Sequence, residues 1–171
     1  MIFYVEQEND AALPLDAEAV GRAVAAAVLQ DMGCPFEAAI CLMLTDDEGI
    51  RSLNRMHRGK DAVTDVLSFP ALAFPAPAAF DTLDLTLPGV TDPETGAVWL
   101  GDIAVNTGRV RTQAESYGHA LTREFAFLVA HSVLHLLGFD HETPDEASDM
   151  ERRQEAVLDK LMFTRDMKDD A

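Results

Sequence analysis

His131, His135 and His141 are the residues in this chain whose type and spacing could do chemistry together. The segment is His131-Ser132-Val133-Leu134-His135-Leu136-Leu137-Gly138-Phe139-Asp140-His141, and it holds three of the five histidines of the 171-residue chain. A four-residue spacing on a helix stacks two imidazoles one turn apart, with β-carbons about 5–6 Å from each other. Gly138 is placed to end such a helix and reverse the chain, which brings His141 back as a third ligand. Three histidines leave a fourth tetrahedral position for water or substrate, the arrangement of catalytic zinc sites. Imidazole nitrogen also suits nickel and copper, and zinc is the ion expected here.

The HxxxHxxGxxH spacing is shared with a class of zinc proteases that place a glutamate directly after the first histidine as general base. This chain has Ser132 there, and a hydroxyl cannot replace a carboxylate base at neutral pH. Hydrolysis of peptides or amides therefore stands as an alternative only. Ser132 itself reads as helix surface or packing.

A second cluster lies upstream, in Asn54-Arg55-Met56-His57-Arg58-Gly59-Lys60 followed by Thr64-Asp65-Val66-Leu67-Ser68-Phe69-Pro70. Guanidinium groups grip phosphate in bidentate fashion and steady charge that develops on it. The same residues could equally complement the dipole at a helix C-terminus. Arg55, Arg58 and Lys60 are the candidates for phosphate, and His57 stands beside Arg58. Asp65, Asp102 and Asp140 are base candidates by neighbourhood only, and Asp140 could instead orient a histidine ligand. His119, beside Gly118, reads as a helix-end residue. Cys34 and Cys41 form no CxxC pair and read as packed thiols.

The elements that must carry these groups can be read from periodicity. Strands are expected over 2–7, 38–45, 66–69 (stopped by Pro70) and 99–105. Helices are expected over 16–32, 46–56, from Asn106 or Thr107 to 116, 122–137 and 144–162. A capping box starting at Thr45 opens the second helix, and Thr143-Pro144-Asp145-Glu146 opens the last. Residues 71–98 have no Lys or Arg and four of the eight prolines. They read as a long loop that could add a short strand at 83–87. The tail from 166 to 171 reads as loose, and the whole as one domain.

Charge and hydropathy narrow the class. With 48% hydrophobic residues the chain is expected to be globular. No apolar run reaches the roughly 18–20 residues of a membrane span. Its opening residues lack the basic region and cleavage site of a signal peptide, so a cytoplasmic location is expected. The formal net charge is −17, which opposes long-range attraction to nucleic acid. Residues 51–60 nonetheless hold four basic groups and no acid, while the last 30 residues hold ten acids and five bases.

Taken together, Leu53-Asn54-Arg55, Arg58-Gly59-Lys60, the run from Thr64 to Pro70, Leu100-Gly101-Asp102-Ile103 and the HxxLHLxGxDH core resemble the YbeY family of bacterial endoribonucleases. The motifs occur in that family's order and span most of 38–162. The resemblance implies an α+β fold, with a four-stranded mixed sheet, helices around a cleft, and a zinc site at the end of a helix. It implies that His131, His135 and His141 ligate one zinc ion and that cleavage depends on Arg58. It further implies single-stranded RNA as substrate, above all ribosomal RNA. The cellular roles would be 3′ maturation of small-subunit rRNA and ribosome quality control, with ribosomal proteins or ribosome-associated factors as further candidate partners and no DNA or membrane partner. Ser132 departs from the glycine common at that position, and the loop at 71–98 is longer than in many relatives. A zinc-containing assembly factor without catalysis is the other alternative, and the acidic charge suits docking to a basic ribosomal protein.

Overall fold

A computed structural model describes residues 1–170. Four strands, β1 (Ile2–Gln7), β2 (Ala38–Thr45), β3 (Val66–Pro70) and β4 (Val98–Asn106), form one sheet in the order β1-β2-β4-β3. The first three in that order are parallel, and β3 runs antiparallel to β4 at the edge. The α+β class and the mixed four-stranded sheet are therefore as expected. Pro70 belongs to β3 and does not precede a break: on an edge strand its missing N–H costs no ladder bond.

Five helices surround the sheet: α1 (Ala17–Asp31), α2 (Asp47–Arg58), α3 (Thr107–Tyr117), α4 (Leu121–Leu136) and α5 (Pro144–Lys160). The main core lies between one sheet face and α1 and α4, where Val24, Val28, Ile40, Leu42, Leu100, Ile103, Phe125 and Val129 are all but fully buried. The other face is covered by α2 alone, through a small cluster of Ile50, Leu67 and Ala104. Among the described residues no helix is long and apolar enough to cross a membrane.

Three local expectations need correction. No strand forms at 83–87: Asp84 Oδ1 accepts from Thr86 N–H at 3.0 Å and from its hydroxyl at 2.6 Å. Such local bonds draw the backbone away from a ladder. The loop instead contains a 3₁₀ turn at Phe80–Thr82 and a bridge between Thr91 and Val98. Asp46, not Thr45, caps α2, accepting from Gly49 N–H at 2.8 Å, because Thr45 is still in β2 and its hydroxyl is bonded to Glu8. Asp169, expected in a loose tail, accepts from the N–H groups of Leu121 and Thr122 at 2.7 and 3.0 Å. It takes over the capping of α4, whose own N-cap residue, Ala120, has no side chain able to do so.

Candidate metal centre

Helix α4 carries His131 and His135 on its last two turns, and their Nε2 atoms lie 3.0 Å apart. Gly138, at φ +89°, turns the chain after the helix, and the exposed His141 comes back to the same point. Its ring lies 4.9 Å from that of His135 and 5.4 Å from that of His131, centroid to centroid. One ligand atom from each histidine lies within 4.8 Å of the others, and among the described residues this is the one group so disposed. Tetrahedral zinc, with Zn–N near 2 Å, sets its nitrogens a little over 3 Å apart, so the cluster fits a single ion with small adjustments.

The surroundings prepare the nitrogens as ligands. His135 Nδ1–H donates to the carbonyl of Phe139 at 2.9 Å, which leaves Nε2 with its lone pair toward the cluster. Burial pushes the His131 imidazole down to about 4, aided by its two histidine neighbours, while the Gln154 side chain and the Asp65 carboxylate pull the other way. Burial lowers His135 as well. Both are therefore neutral, and able to bind metal, at physiological pH.

The turn that sets His141 is itself held. Ala78 N–H donates to Leu137 O at 2.9 Å, so the long loop is docked on the end of α4. A Cβ on Gly138 would sit 2.7 Å from Cβ of Phe74 in that loop. Glycine is required there both for its positive φ and for this close approach. Asp140 accepts from the N–H of His141 at 2.8 Å and so shapes the turn.

Arg58 is the last residue of α2, exposed, and followed by Gly59 in a left-handed C-cap. Its positive charge is the least of the influences that shift His135. Arg51 is tied to Asp61 through two bonds, whereas among the described residues Arg55, Arg58 and Lys60 have no carboxylate partner. Asn54 anchors this corner by donating to Ala62 O at 2.9 Å.

Other candidates lie elsewhere. His57 packs edge-on against Phe69 at 5.0 Å and, with Asp102 and Cys41, lines a separate cavity on the outer sheet face. Asp102 is thus removed from the base candidates by position. Asp65 stays close enough to act on His131. Ser132 is fully buried, so it packs. Both cysteines are free; burial raises both, and Cys41 is pushed up to about 11 with help from Glu6 and Asp102. Inspection of the sequence missed Gln154, a buried amide on the face of α5 that also buries Met150, Val157 and Leu158, and the pairing of His119 with Glu124 at 2.6 Å. A five-residue spacing across a helix start has no periodic signature that would have shown this pair.

Fold and cluster define a class: an α+β protein with a partly exposed three-histidine centre able to hold a metal ion. The family model described as Endoribonuclease YbeY matches residues 4–162, and the chain belongs to that family. It is 45% identical over 165 residues to the Endoribonuclease YbeY of Agathobacter rectalis, covering 96% of this chain and all of that one. It is 47% identical to that of Moorella thermoacetica over 126 residues, 74% of each. The solution structure of a Thermotoga maritima protein superposes with a TM-score of 0.55 over 95% of this chain and 93% of that one, at 20% identity, and supports the fold.

Proposed function

We propose that the chain is a zinc-dependent endoribonuclease that cuts single-stranded RNA, with ribosomal RNA as its substrate and 3′ maturation of small-subunit rRNA and ribosome quality control as its roles. The observation that carries the reading is the convergence of three histidine nitrogens, in a chain whose relatives are named as endoribonucleases.

His131, His135 and His141 would hold the ion. Zinc in such a site supplies Lewis acidity toward a phosphate oxygen and toward water. Phe139 O fixes the His135 tautomer. Arg58 meets the scissile phosphate and steadies the negative charge that grows on it. Arg55 and Lys60, exposed on the same corner, hold flanking phosphates. The burial of Ser132 in the core leaves no group after His131 to act as the base of a peptidase.

An end-labelled RNA with one unpaired segment between two hairpins tests this reading. Metal-dependent cuts confined to the unpaired segment are expected. Stepwise trimming from an end, or release of amino groups from casein in place of RNA cleavage, would contradict it.

A further inference from the structure

Helix α5 packs against α4, the helix that carries His131 and His135. The face it buries is made of Met150, Gln154, Val157 and Leu158, the i, i+4, i+7, i+8 stripe of a helix lying on a core. Three of these four side chains are apolar. Gln154 is buried like its neighbours, 3% exposed, and its Nε2 has no hydrogen-bond partner among the described residues. A methionine or leucine would fill the same space without burying an amide. Buried polar groups in native proteins are bonded, so an amide kept on an apolar stripe calls for a specific partner.

That partner is the His131 ring. Nε2 of His131 is turned to Nε2 of His135, 3.0 Å away, so the nitrogen that faces out of the cluster is Nδ1. The Gln154 side chain hydrogen-bonds to this ring in the sense that favours a proton on it. The amide oxygen therefore accepts and Nδ1–H donates, which leaves the amide nitrogen as the end without a partner. His135 has the same arrangement, with its Nδ1–H donating to the carbonyl of Phe139. Asp65 acts on His131 through charge alone, and its carboxylate accepts from Gln113 and Thr64.

We propose that Gln154 is a positioning residue for the metal centre: its amide oxygen holds His131 in the Nδ1–H tautomer and fixes the ring plane, so that the Nε2 lone pair is presented to the ion. Losing such an acceptor behind a histidine ligand typically weakens metal binding by about 10- to 100-fold. Helix α5, which carries none of the three ligands, thereby takes part in the centre. The proposal rests on the three histidines holding the ion, whatever substrate that ion serves.

Two readouts test it together: zinc affinity by competition with a chelating dye, and the ring N–H signals of the zinc-loaded protein by nitrogen-edited NMR. Wild type should show two Nδ1–H signals protected from solvent, from His131 and His135. Gln154→Met keeps the length and packing of the side chain and removes the acceptor. It should lose one of the two signals and bind zinc about tenfold more weakly or worse. Gln154→Leu repeats the deletion with a second apolar side chain. Gln154→Glu puts a carboxylate acceptor in the same place and should recover both signal and affinity. Val157→Ala loosens the same helix face without touching the ring, and should lower the melting temperature while leaving signals and affinity as in wild type. All variants are compared after a check for native circular dichroism. A signal or an affinity unmoved in Gln154→Met, no recovery in Gln154→Glu, or equal weakening in Gln154→Met and Val157→Ala overturns the proposal and leaves the metal centre standing. A wild type that takes up no zinc overturns the metal centre and the proposal with it.

Discussion

At the residue scale, the histidine cluster depends on keeping imidazoles neutral. Burial and two neighbouring rings hold His131 at about 4, against an ordinary 6.5. Histidine Cε1–H resonances of the metal-free protein, followed by NMR, should show one ring titrating near 4. A value near 6.5 for His131 would mean that the ring is not shielded as described. The sign of the linked stability follows. An unfolded chain takes up the proton near 6.5, while the folded chain resists it. This contribution is fully present above about 6.5 and is lost as the pH falls toward 4. The ligand spacing was legible because helical periodicity converts a four-residue interval directly into neighbouring side chains. The His119–Glu124 pair was not, because it depends on how the α3–α4 turn folds back.

At the element scale, the end of α4 is where the long loop and the third ligand meet. A methyl group at Gly138 meets a φ of +89° and Cβ of Phe74 at 2.7 Å. Gly138→Ala should destabilise the fold by about 1–2 kcal/mol and weaken zinc retention, since His141 follows three residues later. Urea unfolding and competition with a chelating dye would read the two effects. Unchanged zinc affinity would show that the turn does not set His141. Most strands and helices could be read from period and caps, within a residue or two at their ends. The failures share a cause, which is a bond formed outside the local pattern. Asp84 closes its own turn with Thr86, the hydroxyl of Thr45 goes to Glu8, and Asp169 caps a helix 48 residues earlier in the chain. No windowed pattern contains those partners.

At the scale of the whole molecule, a chain of net charge −17 must bind a polyanion through a small surface. Among the described residues, Arg55, Arg58 and Lys60, together at the end of α2, are offered without carboxylate partners. Three phosphate contacts to a single strand predict that log K falls with log salt at a slope of about −2. A slope several times steeper would require a basic surface that this corner does not supply. The acidic balance was legible from composition, but its effect was not, because composition does not say which cations are already paired.

The central claim is that metal and arginine act together on a phosphodiester. The most direct measurement is cleavage of an unstructured RNA by highly purified protein in four forms: zinc-loaded, chelated, Arg58→Ala and His135→Ala. The zinc-loaded protein should cut, the chelated and His135→Ala forms should not, and Arg58→Ala should be slower by about 10²–10³. Four equally inert forms, in a protein that still holds zinc and binds ribosomal components, would contradict the catalytic account and point to an assembly factor.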